Sequence, residues 1–149
     1  MNTKPDNSDF IKDIFAEVPA TYERINHILT MGFDTVWRKR IAKLAAKTGS
    51  MTIADMCSGT GETAAYLCKY MPNTASITAV DFSPEMLAEA KKKPVANRID
   101  FVIADIKELP FPDNHFDLVT MSFATRNINL NKEILTRSFA EYHRVLKPG

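Results

Sequence analysis

Short apolar segments that alternate with helical patterns constrain the fold of this chain more than any other feature. Each apolar segment has the length of a buried strand, and the stretches between them have the spacing of amphipathic helices. The predicted strands are 51–56, 76–81, 99–104 and 116–123, and the predicted helices are 61–71, 84–93 and 130–146. This alternation predicts an α/β fold with a doubly wound, mostly parallel sheet and helices on both faces.

The first third of the chain has a different pattern of apolar residues. Apolar residues recur there at helical spacing, and no strand pattern precedes residue 51. We therefore predict two parts, a helical segment over 1–46 and the α/β domain over 47–149. The last three residues, Lys147-Pro148-Gly149, are typical of a turn that leads into another element. A truncated sheet is the expectation, with further strands absent after the fourth strand and its helix.

Composition excludes several classes of function. The 149 residues carry a net charge of +1, which offers no overall attraction to nucleic acid. The two cysteines, Cys57 and Cys68, match neither a metal-binding spacing nor a disulfide framework. No apolar run reaches the ~18 residues of a membrane-spanning helix. We therefore predict a cytoplasmic protein with no metal site and no nucleic-acid partner.

Chemically informative residues follow each predicted strand. The first strand reaches Asp55 and the turn Gly59-Thr60-Gly61, and the second ends at Asp81. The third leads to Asp105, and the fourth leads to Ser122. Ligands of parallel sheets bind beyond the carboxyl ends of the strands, so these positions predict one binding site.

The charges at these strand ends bear on which nucleotide would bind. Gly59-x-Gly61-x-x-Ala64 fits a dinucleotide fingerprint, and Asp81 suits the ribose of either a dinucleotide or S-adenosylmethionine. Asp55, Glu62 and Asp105 are predicted to crowd the same crevice, where they would repel a pyrophosphate. S-adenosylmethionine is net cationic, and Asp105 could accept a hydrogen bond from its adenine amino group. The pattern favours S-adenosylmethionine and leaves a dinucleotide as the alternative.

With these residues in place, the sequence resembles class I S-adenosylmethionine-dependent methyltransferases, and more narrowly the ubiquinone/menaquinone biosynthesis C-methyltransferase family. The resemblance extends from about Phe10 to Gly149. The stretches that carry it are YERINHILTMGFDTVWRK (22–39), DMCSGTGE (55–62), DFSPEMLAEA (81–90), ADIKELPFPDNHFDLVTMSFATRN (104–127) and HRVLKPG (143–149). The N-terminal stretch and Arg126-Asn127 narrow the resemblance from the superfamily to the family.

The resemblance implies a Rossmann-like fold that binds S-adenosyl-L-methionine. Together with the strand-end positions, it predicts these cofactor-binding residues: Asp55, Gly59, Thr60, Gly61, Asp81, Phe82, Asp105, Ile106 and Ser122. It also implies that the N-terminal helices close over the site. The chain departs from the family at Cys57 and Ser58, where small glycine-like residues are usual, and at Ala124 and Thr125, where glycine and leucine are common.

The resemblance further implies C-methylation of a polyprenyl hydroquinone-type ring. Tyr22 is then expected near the substrate, and Arg126 and Asn127 follow the fourth strand at the ligand-binding edge. We expect Arg126 to stabilise the ring phenolate and Asn127 to orient the ring or a water. The alternatives are structural: Tyr22 packs in the lid, Arg126 pairs with a loop carboxylate, and Asn127 caps a turn.

Other functions stay open on the sequence alone. The chain could belong to a methyltransferase that acts on another small molecule, or it could be a cofactor-binding fragment without catalysis. A lipid-tailed substrate would bring peripheral contact with a membrane surface, with Met31 and Phe33 at an apolar entrance. Association into a homo-oligomer along the edge of the fourth strand is a further expectation.

Overall fold

The computed structural model describes residues 27–124 and 132–149. After a first helix, strands and helices follow one another from residue 52 onward, and the last two strands have no helix between them. In chain order the elements are α1 (Phe33–Ala45), β1 (Thr52–Met56), α2 (Glu62–Tyr70), β2 (Ser76–Asp81), α3 (Pro84–Ala90), a short 3-10 helix (Ala96–Arg98), β3 (Ile99–Ile103), β4 (Leu118–Met121) and α4 (Lys132–Val145). The predicted alternation is confirmed.

The four strands form one parallel sheet with the order β3-β2-β1-β4. Ile53 of β1 is in register with Ile77 of β2 on one side and with Leu118 of β4 on the other. The chain thus moves outward from β1 to β3 and then returns to the other side of β1. This reversal places the topological switch point between β1 and β4, where ligands of such sheets bind.

Helices cover both faces of the sheet, as the sequence predicts. On one face, Ile53 and Ile77 pack with Leu67 of α2 and with Ala42 of α1 in a buried apolar cluster. On the other face, Ala54 and Met56 of β1, with Val80 of β2, pack against Tyr142 and Val145 of α4. The neighbours Ile53 and Ala54 therefore belong to opposite cores, so both faces of β1 are buried.

Helix α3 begins as its sequence predicts and ends earlier. The hydroxyl of Ser83 accepts a hydrogen bond from the backbone N–H of Met86, and Pro84 occupies the first turn. The predicted helix extends to residue 93, whereas α3 ends at Ala90. Pro94 disfavours the helical conformation at the residue before it, so the chain tightens into turns over 91–93.

Strand β4 is also shorter than the predicted span of 116–123. Phe116 pairs instead with the end of α4, because its N–H donates to the carbonyl of Val145 at 2.9 Å and its carbonyl accepts from Lys147 at 2.9 Å. At the other end, Phe123 adopts a positive φ of 61°, which the extended conformation does not allow. The strand therefore covers only Leu118–Met121.

An arginine near the end of α4 fastens the loop that precedes β4. The Arg144 guanidinium donates to both carboxylate oxygens of Glu141, at 2.7 and 2.8 Å, and to the carbonyls of Leu109 and Phe111, at 3.0 and 2.7 Å. It also pairs with the carboxylate of Asp113 at 2.9 Å. One side chain thus holds the 109–113 loop against α4.

None of the helices in the described ranges is both long and apolar enough to cross a membrane.

Candidate functional site

The glycine turn after β1 is joined directly to the end of β2. The N–H of Gly59 donates to one carboxylate oxygen of Asp81 at 2.7 Å, and the N–H of Ser83 donates to the other at 3.0 Å. The N–H of Ser58 donates to the carbonyl of Val80 at 3.0 Å, which adds a main-chain connection. Burial raises the pKa of Asp81, and the backbone donors oppose that effect. Each carboxylate oxygen keeps a further lone pair with which to accept from a ligand.

The turn leaves open space beside Gly59. Gly59 has a φ of +56°, and a Cβ atom added to it would meet nothing within 4 Å. Gly61 has a φ of +75°, and its added Cβ would lie 2.9 Å from the Cβ of Ala90. Gly59 therefore lets a ligand approach the backbone, whereas Gly61 lets α2 and α3 pack closely.

Asp55 is a buried carboxyl at the end of β1. Its two oxygens accept hydrogen bonds from the hydroxyls of Ser58 and Thr120, each at 2.8 Å. Burial raises its pKa from 3.8 to about 6, against the opposing effect of these hydroxyls and of the Arg38 charge. Because Asp55 is only 1% exposed, it acts on a ligand mainly through its charge.

The thiol of Cys57 is affected by the charges of three carboxyls. Burial, and then the charges of Asp81, Asp55 and Asp105, raise the pKa of this thiol to about 12. A thiol with that pKa is not ionised near neutral pH, so Cys57 is not a nucleophile here. Asp55, Asp81 and Asp105 lie at or just after the carboxyl ends of β1, β2 and β3, so these three acidic side chains are grouped at one edge of the sheet.

Asp105 is the exposed member of this group. Its carboxylate accepts from the N–H of Lys107 at 2.9 Å and lies 3.2 Å from the Lys107 ammonium. It therefore caps the turn after β3, next to Ile106, which packs against the core on the α4 side. A contact between Asp105 and an adenine ring remains a prediction.

Three further predicted residues lie at or just after the carboxyl ends of the strands. The hydroxyl of Ser122, just after β4, is hydrogen-bonded to that of Thr63 in α2 at 2.6 Å. Thr60 is buried within the glycine turn, and Phe82 follows Asp81 in a half-buried position. The structure thus brings all nine predicted cofactor-binding residues to one edge of the sheet, while their contacts with a cofactor stay predictions.

The expected position of Glu62 in the crevice is wrong. Its carboxylate forms an ion pair with Lys93. Both residues line a groove between α2 and the segment that leads into β3, together with Ala65 and Val95. The negative region of the site therefore depends on Asp55, Asp81 and Asp105 without Glu62.

Sequence reasoning assigned no role to Arg38, although it lies in the quoted N-terminal stretch. Its guanidinium carbon lies 4.9 Å from the centre of the Phe123 ring, just beyond β4. Trp37 packs on the same ring at 5.8 Å. Arg38 shares the buried face of α1 with Asp34 and Ala42, a face that only the structure reveals. A charged residue at such a position needs an explanation.

Three predicted catalytic residues, Tyr22, Arg126 and Asn127, lie outside the described residues. Most of the predicted N-terminal segment 1–46 lies outside them too. In the described part of that segment, Ala42 and Ala45 of α1 pack into the core that also contains Ile53. No group of histidine, cysteine, aspartate and glutamate side chains over 27–124 and 132–149 has the arrangement of a metal site.

The site combines a ligand-accessible glycine turn, a carboxylate anchored beside it, and a negative field that suits a cationic nucleotide. The family model described as the ubiE/COQ5 methyltransferase family matches residues 2–149. The chain belongs to this family.

Curated relatives in the family support the same assignment. A ubiquinone/menaquinone biosynthesis C-methyltransferase UbiE of Desulfotalea psychrophila is 37% identical over 93% of this chain and 54% of its own length. A demethylmenaquinone methyltransferase of Chlorobaculum tepidum is 41% identical over 93% of this chain and 56% of its own length. The chain therefore spans about half the length of the curated relatives it matches.

Solved structures support the fold. A putative S-adenosyl-L-methionine-dependent methyltransferase from Methanococcus maripaludis aligns with the whole chain and 63% of its own, with a TM-score of 0.69 and 24% identity. An S-adenosylmethionine-dependent methyltransferase from Aquifex aeolicus aligns with 66% of the chain and 52% of its own, with a TM-score of 0.56 and 28% identity. The Rossmann-like methyltransferase fold is thereby confirmed.

Proposed function

We propose that this chain binds S-adenosyl-L-methionine and forms part of an enzyme that C-methylates a prenylated hydroquinone-type ring. The proposal that the chain binds this cofactor rests on the hydrogen bond from the Gly59 N–H to Asp81. This bond anchors a carboxylate beside an open glycine turn. The acceptor half rests on family membership and on the names of the relatives.

The residues present fit this cofactor. Asp81 offers unused lone pairs to the ribose hydroxyls, and Asp105 offers an acceptor to the adenine amino group. The negative field of Asp55 and its neighbours favours the cationic part of the cofactor. The buried Arg38 cation at the other end of the site matches the one anionic group of the ligand. When bound, the cofactor supplies an activated methyl group.

The protein's task is to orient the acceptor ring and keep it nucleophilic. A reacting carbon has to lie about 3–3.5 Å from the methyl group, so positioning carries much of the catalysis. We assign Arg126 to stabilising the ring phenolate, Asn127 to orienting the ring or a water, and Tyr22 to contacting the ring. Arginine retains its proton under ordinary conditions and therefore acts through its charge.

The N-terminal part, residues 1–46, is proposed to close over the site as a lid. Met31 and Phe33 are 84% and 53% exposed, which suits an apolar entrance for a prenyl tail. A prenylated acceptor would bring the protein to a membrane surface from the cytoplasm. Self-association along β4 remains part of the proposal.

Calorimetric titration of the 149-residue chain with S-adenosylmethionine tests the cofactor half, with NAD as the control ligand. We expect saturable binding of S-adenosylmethionine and none of NAD. Fluorescence of Trp37, the single tryptophan, gives a second readout because it packs on Phe123 at the switch point. Binding of NAD, or binding of neither ligand to a chain that circular dichroism shows to be folded, would contradict the proposal.

Product analysis tests the acceptor half. The chain would be extended to the length of its curated relatives. It would then be incubated with a prenylated hydroquinone and, separately, with an unprenylated small-molecule acceptor. We expect a new carbon–methyl bond on the prenylated ring. Methylation of the second acceptor alone would retain the cofactor half and overturn the acceptor half.

A further inference from the structure

Arg38 is a buried cation without a counter-ion in the described part of the chain. The residue is only 9% exposed, and its Nε atom is buried without a hydrogen-bond partner. Over 27–124 and 132–149, no carboxylate lies within ion-pair distance of its guanidinium. A buried charge is more stable where an opposite charge compensates it, so this arrangement favours an anionic ligand beside Arg38.

The two carboxyls whose pKa values respond to the charge of Arg38 already have other hydrogen-bond partners. Asp34, one helical turn earlier, accepts a hydrogen bond from Thr30 at 3.1 Å and lies 3.0 Å from the Nδ1 atom of His27. Asp55 accepts from two hydroxyls and is covered by them. The Arg38 charge opposes the burial that raises the pKa of Asp55, and it adds to the hydrogen bonds that lower the pKa of Asp34. Neither carboxylate forms an ion pair with the guanidinium of Arg38 in the part of the chain that the structure describes.

The surroundings hold the guanidinium at the switch point. It lies against the ring of Phe123, which follows β4 and has the strained φ of 61°. Strain in a bulky residue persists only where the surrounding structure enforces it, and such residues cluster at ligand sites. Phe123 therefore supports the cation over the ends of β1 and β4.

We propose that Arg38 binds the α-carboxylate of the methionyl part of S-adenosylmethionine. This assignment rests on the proposed function. The adenosyl end is assigned to Asp81 and Asp105, at the ends of β2 and β3. The opposite end of the ligand then extends across β1 toward β4, over about three strand spacings of ~4.8 Å.

The chemistry of this end of the ligand matches the residues present. An α-amino acid carries a cation and an anion on one carbon, so its site needs an anion and a cation side by side. Asp55 near the end of β1 provides the anion, and Arg38 over Phe123, just beyond the neighbouring strand β4, provides the cation. A guanidinium also binds a carboxylate through two parallel N–H bonds, which gives orientation as well as affinity.

The test compares ligands that differ in the amino-acid group. S-adenosylhomocysteine has the carboxylate, and 5′-methylthioadenosine has neither the carboxylate nor the amine. By calorimetry, we expect Arg38→Gln to weaken S-adenosylhomocysteine by roughly 10- to 100-fold, as expected for a lost charge-assisted hydrogen bond. It should leave 5′-methylthioadenosine within about twofold of wild type. Arg38→Lys, which keeps the charge, should recover part of the loss.

Arg40→Gln is the matched control, because Arg40 is exposed on the same helix. It should leave both affinities unchanged. Circular dichroism and thermal unfolding establish that each variant is folded. A second measurement needs no variant: wild type should bind decarboxylated S-adenosylmethionine at least about 10-fold more weakly than S-adenosylmethionine.

The outcomes separate this assignment from the proposed function. Equal losses for both ligands in Arg38→Gln, or no loss for either, would overturn the role of Arg38 and leave the cofactor site standing. Equal binding of the decarboxylated ligand by wild type would do the same, even if Arg38→Gln did not fold. Failure of wild type to bind any adenosyl ligand would overturn the proposed function and this assignment together.

Discussion

The carboxylate of Asp81 accepts a hydrogen bond from the backbone N–H of Gly59 at 2.7 Å, although the two residues are 22 positions apart in the chain. This bond joins the end of β2 to the turn after β1. The carboxylate is thereby fixed in place before any ligand binds. Since Asp81 also accepts from Ser83, it stabilises two segments of backbone at once.

Asp81→Asn should therefore lower both stability and affinity. An amide has a single acceptor oxygen, so one of the two backbone N–H groups would face an NH2 donor. An unsatisfied buried donor costs about 1–3 kcal/mol. We expect that loss in the free energy of unfolding from urea denaturation, together with weaker S-adenosylmethionine binding by calorimetry.

Asp100→Asn is the matched control, because Asp100 is exposed on β3. Its effect should stay within about 0.5 kcal/mol. If Asp81→Asn behaved like this control in both measurements, the anchoring role of Asp81 would be refuted.

Asp55 should make stability depend on pH. Burial raises its pKa from 3.8 to about 6, so the folded state holds this proton more tightly than the unfolded chain. The contribution of Asp55 to stability is therefore greatest below pH ~4 and is lost as the pH rises through about 6. The increase corresponds to about 3 kcal/mol as an upper value.

Comparison with Asp55→Asn isolates this contribution. Urea denaturation at several pH values from 4 to 7.5 should show wild type losing stability relative to the variant as pH rises. The buried Asp81 is present in both proteins, so the part of its titration that does not depend on the charge of Asp55 cancels in the difference. A difference that stays constant over this range would mean that Asp55 titrates as an ordinary carboxyl.

Arg144→Lys should release the 109–113 loop. Lysine cannot reproduce the two-pronged bond to Glu141 and also reach the carbonyls of Leu109 and Phe111. The midpoint of thermal unfolding should fall, and limited proteolysis should cut within the loop. Arg137→Lys, at an exposed position of α4, is the control and should change neither result. Equal protease resistance in the two variants would refute the fastening role.

Local patterns made much of the fold and site predictable from the sequence. The glycine turn and the capping pair Ser83-Pro84 each determine a conformation within a few residues. Parallel strands also bring their carboxyl ends to one edge, so Asp55, Asp81 and Asp105 could be grouped before any distance was known. These predictions depend on chain geometry that does not vary with the details of packing.

Features that depend on tertiary contacts were missed. Glu62 appeared to face the crevice, and only the packing of α2 against the segment after α3 reveals its pairing with Lys93. The burial of Arg38 depends on Phe123, which is distant in sequence and has an unusual backbone conformation. Neither contact leaves a periodic pattern, so spacing alone could not have located them.

Gly61→Ala should destabilise the junction of α2 and α3 for two separable reasons. A φ of +75° costs an alanine about 1–2 kcal/mol. The new methyl group would also lie 2.9 Å from the Cβ of Ala90, and overpacking of this kind costs about 1–3 kcal/mol. We expect a total loss of about 2–5 kcal/mol in the free energy of unfolding, measured with urea.

Two further variants divide that loss. Gly59→Ala has a similar positive φ and open space around the new methyl group, so it should show the backbone cost alone. Ala90→Gly removes the opposing methyl group, so the double variant with Gly61→Ala should regain the overpacking cost and retain the backbone cost. The double-mutant cycle should therefore give a favourable coupling of about 1–3 kcal/mol. Additive effects would mean that the backbone conformation, and not contact with Ala90, determines the need for glycine at position 61.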